Sequence, residues 1–466
     1  MSLEPLNSSK PRSPQPRFEL DRAQGTIIGR SRENRPIICF GRGHASAALR
    51  LLVLAGQHGD ERSSRRTLQS FLAVRAEEVA SRLPAIQMAI VPEANPDGCA
   101  ARSRCNADGI DLNRDHQLLL SNETVAIHRF VRWWQPHVIL DLHNYPSRRR
   151  HLLERNVVLN HDVFIDVPNH PAILARPGRV DCDEVLRELL GAIAIRNVCA
   201  GRYTIVRASD RARHSTPDVV DARNGLALRY GAFTILVENR QPRRDETTAE
   251  RHRLRTAQER ALWAVLEWLD TNHSRFIPLA TLGPPAPGTL VPVHFKYKTA
   301  GRGLRLLCRD LHQGRPTSVT FSRYLASLVV RRTVPLPAGY AVPSTLESLI
   351  SVLHRHGFAS SQCQTGELCP VEKLRIEPGL PRRRPDRPAR KVVLAVRRLS
   401  RELDRYEVFP TQQHGGDSLA VFLEPESKHG LHRFTAVHVP LLAPSWYPVL
   451  RVLDQGDLSE LHEIRQ

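Results

Sequence analysis

The sequence predicts an α/β domain followed by a β-rich domain, and three observations support this fold class. Apolar runs of five or six residues, each the length of one buried strand, occur at Leu51–Ala55, 86–91, 137–142 and 233–237. Stretches with the spacing of amphipathic helices separate these runs. A Gly- and Pro-rich break at residues 283–288 precedes short runs of alternating polarity, which are typical of half-buried strands.

The length and composition predict a globular chain with two cores. A chain of 466 residues with 41% hydrophobic content is long enough for two domains. No apolar segment is long enough to span a membrane, and the polar start has no apolar signal core, so we expect no membrane partner. The predicted parts are a disordered N-terminal arm (1–24), an α/β domain (25–273), a linker (274–288) and a β-rich domain of unknown role (289–466).

The cysteines and the net charge limit the predicted location and the predicted partners of the protein. Eight cysteines are scattered without a Cys-x-x-Cys pair, which predicts reduced thiols in a cytoplasmic protein and argues against a cysteine metal site. The net charge of +19, with arginine runs at Arg148–Arg150 and Arg382–Arg384, favours non-specific attraction to nucleic acid. Arginine is spread along the whole chain and no nucleic-acid-binding motif is present, so we predict no nucleic-acid partner.

The first elements lead to a turn with metal-binding chemistry. Residues 27–40 predict two short strands around a polar turn, and the strand Leu51–Ala55 then runs into a turn that contains His58 and Glu61. A short loop at a strand end points both side chains outward, so an imidazole and a carboxylate can converge on one cation. The His-x-x-Glu pattern alone also occurs by chance on protein surfaces.

The next strand leads to a cluster of arginines. The strand Ile86–Val91 is followed by Asn95–Gly98, which we predict to be a tight turn without chemistry. The loop from Arg104 to Arg114 then places two arginines and the amide of Asn113 close together. Guanidinium groups offer rigid pairs of donors that suit a carboxylate or an oxyanion.

Two later strands end at residues with acid–base or ligand chemistry. A helix capped by Ser121 or Asn122 leads to the strand 137–142, which delivers His143 at its carboxyl end, where open α/β sheets bind ligands. After a helix at about 183–196, the strand 233–237 ends at Glu238. A carboxylate that closes a buried strand needs a partner, so Glu238 is a candidate functional residue.

The rest of the chain predicts packing elements only. A helix at 248–272 carries an apolar stripe that fits the face of a sheet. Beyond the linker we predict one helix, with a Ser344–Glu347 capping box and an end at Gly357, and an exposed linker at Pro381–Arg390. The predicted strands of this half are Val291–Tyr297, Val392–Val396, Leu419–Leu423 and Phe434–Val439.

The order and spacing of the candidate residues resemble those of the M14 zinc carboxypeptidases. The residues that carry this resemblance are His58, Glu61, Arg104, Asn113, Arg114, His143 and Glu238. The string from Arg104 to Arg114 is especially similar to bacterial members such as the murein peptide amidases, and the similarity covers about Gly25 to Asn272. The resemblance implies a mixed sheet with helices on both faces. It also implies one Zn²⁺ per chain, held by His58, Glu61 and His143.

The resemblance further implies hydrolysis of a C-terminal peptide or amide bond in a substrate with a free carboxylate. Glu238 would act as the general base on the attacking water, and zinc with Arg104 would hold the oxyanion. Asn113 and Arg114 would bind the carboxylate of the substrate.

The sequence departs from the family pattern at one position, and two alternatives stay open. Many family members have a mobile tyrosine about two dozen residues before the glutamate, but His214–Asp218 contains none, and Tyr203 and Tyr230 fit the spacing poorly. The alternatives are a zinc deacylase of N-acyl amino acids, similar to succinylglutamate desuccinylases, and a binding protein with weak catalysis. The second half resembles the region after the peptidase domain of some bacterial M14-like proteins, through Leu423–Ser427 and Tyr447–Arg451, and this implies no activity.

Overall fold

The structure is a computed structural model that describes residues 25–281, 283–362, 370–378, 390–398, 405–440 and 445–453. The predicted arm at 1–24 and all but the last residue of the predicted linker at 381–390 lie outside the described residues. The chain divides into two compact units. In the described residues, the first unit comprises 25–281 and 292–333, and the second comprises 283–291 and the residues from 334 onward.

The first unit is built on a mixed sheet, which confirms the predicted α/β class. Its strands are β1 Thr26–Arg30, β2 Pro36–Gly43, β3 Leu49–Ala55, β4 Ile86–Val91, β5 Val138–Pro146, β6 Val157–Leu159, β7 Val163–Asp166, β8 Ala200–Arg202, β9 Thr204–Ala208, β10 Arg211–His214 and β11 Phe233–Gln241. Eight of them form one sheet in the order β1-β2-β4-β3-β5-β11-β7-β8. The neighbours β4, β3, β5 and β11 run parallel, whereas β11 and β7 run antiparallel.

Helices cover both faces of this sheet. They are α1 Arg62–Leu72, α2 Ala76–Arg82, α3 Pro96–Ala101, α4 Asn122–Trp134, α5 Arg150–Leu153, α6 Pro171–Leu174, α7 Cys182–Ile195, α8 Ala222–Tyr230 and α9 Thr248–Thr271. Alternate strand residues, such as Leu140 and Ile235, form one hydrophobic core with apolar residues of α1, α7 and α9. On the other face α4 packs against β1, and α8 packs against β11, where the Thr234 hydroxyl bonds to the carbonyl of Arg223. No helix in the described part of the chain is long and apolar enough to cross a membrane.

The central strands carry the candidate residues to one edge of the sheet. β3 and β5 run side by side with Ala55 opposite Leu142, so the turn after β3 lies next to the carboxyl end of β5. β5 and β11 are also parallel, and their register pairs His143 with Glu238. Because parallel strands end at the same edge, two residues that are 95 positions apart in sequence become neighbours.

The structure divides the chain differently from the predicted boundary at 274–288. Four strands follow the break, namely β12 Leu290–Thr299, β13 Leu304–Asp310, β14 Pro316–Phe321 and β15 Arg323–Pro335. β15 pairs with β10 in a four-stranded sheet, and β13 pairs with β6 in a three-stranded sheet. Most of this segment therefore belongs to the first unit, because it completes the hydrogen bonds of strands that lie before the break.

The second unit contains an antiparallel sheet of seven strands. Its elements are β16 Gly339–Pro343, α10 Glu347–Arg355, β17 Ser361–Gln362, β18 Pro370–Pro378, β19 Arg390–Arg398, β20 Tyr406–Pro410, α11 Ser418–Leu423, β21 Ser445–Trp446 and β22 Leu450–Val452. The strand order is β17-β20-β16-β22-β18-β19, with β21 beside β18. The predicted strand at Leu419–Leu423 is wrong, because this fully buried segment forms α11. The predicted strand at Phe434–Val439 is also wrong, since Thr435–Val437 is a 3₁₀ turn.

Candidate metal centre

Three side chains from two strand ends converge on one point. The Nδ1 atom of His58 lies 2.7 Å from Oε1 of Glu61 and 3.2 Å from Nδ1 of His143. The other carboxylate oxygen of Glu61 lies 3.1 Å from Nδ1 of His143. All three residues are buried, and one ligand atom from each lies within 4.8 Å of the other two. Among the described residues this is the group of imidazoles and carboxylates that could hold a metal ion.

Carboxylates bond the Nε2 atoms of the two histidines and so orient the Nδ1 atoms toward the metal position. Nε2 of His58 lies 3.0 Å from Oδ1 of Asp111, and Nε2 of His143 lies 3.0 Å from Oδ1 of Asp141. A carboxylate can only accept, so Asp111 and Asp141 favour a proton on Nε2 of each histidine. A metal ion at the centre would replace any proton that Glu61 attracts to Nδ1. Such carboxylate partners fix the orientation of metal-binding histidines and raise their basicity.

Glu61 is fixed in place by the strand that carries His143. Its Oε2 accepts a 2.9 Å hydrogen bond from the backbone N–H of Asn144. The Asn144 side chain in turn accepts from the N–H and the hydroxyl of Ser64, at 3.0 Å and 2.8 Å. Ser64 lies in the first turn of α1, so this bridge ties the start of α1 to the end of β5.

The charges of the site favour a cation at its centre. Burial alone would raise the pKa of Glu61, but the adjacent His143 and His58 lower it to about 2. Burial would lower the pKa of His143, but Asp141 and Glu61 raise it well above its ordinary value. The carboxylates therefore stabilise positive charge between them. Two imidazole nitrogens and a carboxylate fit zinc, which binds such sets and keeps a fourth position open in catalytic sites.

Close packing of the backbone holds the turn that carries two of these ligands. Gly59 lies between His58 and Glu61 and is buried against α3. A Cβ atom at Gly59 would lie 1.9 Å from the carbonyl carbon of Gly98. Only glycine fits here, because no other side chain allows the two backbones to approach so closely.

Glu238 lies beside this centre with a perturbed acidity. It is buried at the end of β11, directly opposite His143 in the register of the sheet. Burial raises its pKa to about 7, with Glu61 adding to the rise and His143 opposing it. A carboxylate with a pKa near neutrality, next to a metal site, has the acidity that a general base needs.

The three other predicted site residues lie around the same centre, each with different partners. Arg104 is half exposed, and its Nε donates to Oδ2 of Asp111 at 3.0 Å while a terminal nitrogen lies 3.8 Å from Glu61. Asn113 is buried, accepts from the N–H of Ala222 at 2.9 Å, and has its amide nitrogen 3.1 Å from Nε2 of His143. Arg114 is exposed and donates to its neighbour's carbonyl at 2.6 Å.

Tyr203 and Tyr230, the two candidates for the mobile tyrosine of the family, occupy different places. Tyr203 lies near Glu238, and burial raises its pKa, with the Glu238 charge adding to the rise. The positive charge of the nearby Arg149 opposes this rise. Tyr230 instead pairs with His128 at 3.0 Å, on the face of the sheet that α4 and α8 cover.

The arginine run at 148–150 divides its contacts between the surface and this site. Arg148 pairs with Asp245 at 3.0 Å, and Arg150 pairs with Glu154 at 3.2 Å. Arg149 between them lies near Tyr203, where its charge acts on the tyrosine hydroxyl. The run is therefore a set of separate ion pairs and contacts rather than one continuous basic patch.

Sequence reasoning missed the residues that support the ligands. Asp141 stands two positions before His143 on the same strand, so its side chain points to the same face, which was a usable signal. Asp111 lies inside the Arg104–Arg114 string but received no role. Asn144 could not be found in this way, because a surface asparagine after a strand has the same local pattern.

Comparison with known proteins agrees with this centre. Residues 21–147 match the family model described as zinc carboxypeptidase, Peptidase_M14, which confirms the predicted resemblance over that segment. The matched segment contains both predicted histidine ligands and ends before Glu238.

Two curated relatives illustrate the match. Murein peptide amidase A of Escherichia coli K12 is 38% identical over 104 residues, which is 22% of this chain and 39% of that protein. Carboxypeptidase 2 of Trichophyton rubrum is 26% identical over 148 residues, which is 31% of this chain and 26% of that protein. The chain thus spans well under half the length of either relative.

Solved structures show a more distant likeness. A metallo-carboxypeptidase from Burkholderia cenocepacia aligns with a TM-score of 0.40 at 17% identity, over 55% of this chain and 66% of that one. A murein-tripeptide amidase from Escherichia coli O157 aligns with a TM-score of 0.33 at 21% identity, over 54% of this chain and 96% of that one. At these scores the alignments add nothing to the fold described above.

Proposed function

We propose that this chain is a zinc-dependent metallocarboxypeptidase that hydrolyses a C-terminal peptide or amide bond. The observation that carries the proposal is the convergence of His58, Glu61 and His143, with Glu238 opposite His143 across two parallel strands. This set combines a metal site with an adjacent carboxylate of raised pKa. Such a combination is characteristic of metal-assisted hydrolysis.

In the proposed reaction Glu238 moves the protons. Bound zinc, one per chain, would lower the pKa of a water molecule and polarise the scissile carbonyl. Glu238, as a carboxylate, takes the proton of the attacking water and later returns it to the leaving amine. Its burial beside the site raises its pKa to about 7, which suits a group that both takes and returns a proton.

The arginines supply the complementary charge. Arg104 lies at the edge of the centre, where its guanidinium can stabilise the developing oxyanion. Arg114 offers exposed donors for the free carboxylate of the substrate, with Asn113 as its neighbour in the binding set. A peptide with a free C-terminal carboxylate is therefore the proposed substrate class.

The location and the alternative activities remain predictions. The six cysteines of the described residues are free thiols, which agrees with the predicted cytoplasmic location without testing it. A deacylase of N-acyl amino acids would use the same centre on a smaller substrate. A binding protein with weak catalysis would keep the metal and lack turnover.

A hydrolysis assay on the full chain separates these possibilities. Purified protein is depleted of metal with a chelator, reloaded with one equivalent of zinc, and tested on free-acid peptides, murein peptides and N-acyl amino acids. We expect activity on free-acid peptides or murein peptides that disappears on depletion and returns with zinc. Glu238→Gln serves as the control, because it should bind zinc and lose about two to four orders of magnitude in turnover.

Three outcomes would contradict the proposal. Hydrolysis that survives metal depletion would exclude a zinc mechanism. Cleavage of N-acyl amino acids alone would favour the deacylase, and zinc binding without hydrolysis of any substrate would favour the binding protein.

A further inference from the structure

A buried chain of hydrogen bonds leads from the candidate metal centre through α4 to α8. Its members are all buried polar side chains from separate elements, and we call them the relay: Asp141, Gln57, His116, His128 and Tyr230. Asp141 is also the carboxylate that bonds Nε2 of His143. The relay connects one proposed zinc ligand to the helices α4 and α8.

The distances along the relay are those of direct hydrogen bonds. Nε2 of Gln57 lies 2.7 Å from Oδ1 of Asp141, and Oε1 of Gln57 lies 2.8 Å from Nε2 of His116. Nδ1 of His116 lies 3.1 Å from Nε2 of His128, whose Nδ1 lies 3.0 Å from the hydroxyl of Tyr230.

Proton positions along the relay follow from its charged end. The Asp141 carboxylate can only accept, so the amide nitrogen of Gln57 faces it and the amide oxygen faces His116. That oxygen requires a proton on Nε2 of His116, which leaves a lone pair on Nδ1. The order is the same at the next step, where the Nε2 proton of His128 donates to His116.

The surroundings of the relay disfavour positive charge on His116. Burial lowers the pKa of His116 to about 4. The guanidinium of Arg229 lies 5.1 Å from the centre of the Tyr230 ring, which disfavours a second positive charge at this end. The Tyr230 hydroxyl can donate to Nδ1 of His128, and every bond of the relay then donates in one direction, toward Asp141.

We propose that His116 is a positioning residue for the metal centre. Its Nε2 proton fixes the orientation of Gln57, which holds Asp141 in the place where it bonds His143 and leaves Nδ1 of His143 free for zinc. The inference rests on the proposed function, because it concerns the same zinc site. It adds a residue that touches neither metal nor substrate.

The loss of His116 should therefore weaken zinc binding without removing a ligand. In His116→Phe a ring of similar size remains, but the Gln57 oxygen loses its donor in a buried place, which favours a flip of the amide. A flipped amide would present its oxygen to the Asp141 carboxylate and repel it. In His116→Gln an amide nitrogen can take the place of the imidazole Nε2 and restore the donor.

Two measurements on the full chain test the positioning role of His116. The dissociation constant for zinc is measured by competition with a chelator for the wild type, His116→Phe, His116→Gln and His137→Phe. We expect it to rise about tenfold in His116→Phe, the lower end of the effect of outer partners of a metal site, and to recover in His116→Gln. His137 is a buried histidine at the opposite end of β5, so His137→Phe controls for the loss of any buried imidazole.

The second measurement does not depend on zinc. Nitrogen-15 NMR of histidine-labelled, metal-free protein, with His116→Phe to identify the signals, should show His116 as the neutral tautomer with its proton on Nε2. A proton on Nδ1 would overturn the relay, and so would zinc binding by His116→Phe within about twofold of the wild type. If the wild type itself binds no zinc, the proposed function fails, whereas the tautomer of His116 still decides the relay.

Discussion

At the scale of single residues, the candidate centre depends on groups that do not face the metal position. Asp111 accepts from His58 and also bonds Arg104, so one carboxylate orients both a ligand and a proposed oxyanion partner. The pKa of Asp111 is lowered because His58 and Arg104 outweigh the effect of its burial. Asp111 is therefore charged in this pocket at neutral pH, and its charge supports the basicity of His58.

Removal of this charge provides the first prediction. Asp111→Asn keeps the size of the side chain but leaves a neutral oxygen behind His58. We expect about a tenfold loss in zinc affinity and a fall in kcat, since Arg104 is released as well. Zinc competition assays and steady-state kinetics check both effects.

A nearby aspartate supplies the matched control. Asp108 lies three residues earlier in the same loop, is 40% exposed, and pairs only loosely with Arg32 at 3.4 Å. Asp108→Asn should leave zinc affinity unchanged. Equal effects in the two variants would mean that the general negative charge of the loop, and not the bond to His58, supports the site.

At the scale of elements, the turn after β3 and the helix α3 form one packed unit. The backbone of Gly59 lies directly against Gly98, which sits in α3. Asn95 caps this helix by accepting from the N–H of Gly98 at 2.8 Å. The position of His58 and Glu61 thus depends on a helix that carries no ligand itself.

A methyl group at Gly59 should therefore damage the centre. In Gly59→Ala the Cβ atom would overlap the Gly98 backbone, and the turn has to move. We expect zinc affinity to fall by at least about tenfold, because both ligands of the turn are displaced. The measurement is zinc competition together with the thermal unfolding of the metal-free protein.

A second glycine gives the comparison. Gly191 lies in α7, and a Cβ atom there has no heavy atom within 4 Å. Gly191→Ala should keep zinc affinity and slightly raise stability, as alanine favours a helix over glycine. Normal zinc binding by Gly59→Ala would show that the turn does not depend on its packing against α3.

The central elements could be predicted from the sequence because their patterns are local. The apolar runs around Val53, Leu140 and Ile235 are buried strands, and the ligands follow them directly. The helix α4 begins after Ser121, whose side chain accepts from Thr124 as predicted. A strand end is visible in the sequence, so the positions of His58, Glu61 and His143 at strand ends could be predicted, whereas their convergence on one metal ion was implied by the resemblance to the M14 zinc carboxypeptidases.

Other elements depend on contacts that the sequence does not show. Asn95–Gly98 starts α3 instead of forming an isolated turn, because Asn95 caps it and Pro96 suits the first helical position. The helix α10 was predicted, but the Ser344 cap is wrong, since Leu346 precedes the helix and no side chain caps it. The run Leu419–Leu423 is apolar without a clear period, so its burial on all sides could not distinguish a helix from a strand.

At the scale of the whole molecule, the second unit has its own buried network of charges. The carboxylate of Glu424 accepts from Nε and a terminal nitrogen of Arg451, at 2.7 Å and 2.6 Å, and from the hydroxyl of Tyr340 at 2.8 Å. Glu372 accepts from the remaining terminal nitrogen of Arg451 at 2.7 Å. The two segments that resemble bacterial relatives, Leu423–Ser427 and Tyr447–Arg451, therefore meet each other, which gives them a structural role.

This network predicts a large effect of one substitution. Glu424→Gln removes the charge and half of the acceptor capacity that face a buried guanidinium. We expect the free energy of unfolding to fall by about 3–5 kcal/mol, because Arg451 is left buried and incompletely paired. The change in the free energy of unfolding is measured by urea unfolding of the full chain, with limited proteolysis as the probe of the unfolded fraction.

Replacement of all three charges tests the reason for this effect. Glu372→Leu and Glu424→Leu with Arg451→Met removes every charge of this network, so the triple variant should lose less stability than Glu424→Gln. A greater loss in the triple variant would mean that the ion pairs themselves stabilise the unit.

The division of the chain could be predicted only in part. The Gly- and Pro-rich break at 283–288 lies at one of the points in sequence where the chain passes from one unit to the other. The alternating pattern of Val291–Tyr297 predicts β12 correctly, but β13, β14 and β15 were not predicted, and the pattern contains no information about which strands pair. β13 pairs with β6 and β15 pairs with β10, both more than one hundred residues earlier, so the boundary follows from long-range pairing.

The central claim, zinc-dependent cleavage next to a free carboxylate, is tested most directly by one comparison of rates. The measurement is kcat/KM of zinc-loaded wild type and Arg114→Ala on matched peptides that differ only in a free or an amidated C-terminus. We expect the kcat/KM of the wild type to be about a hundredfold higher on the free acid, because amidation removes a charge-assisted contact with Arg114. Arg114→Ala should cut both peptides at similar low rates. Equal rates of the wild type on both peptides would contradict the claim and would favour the deacylase or the cleavage of an internal amide.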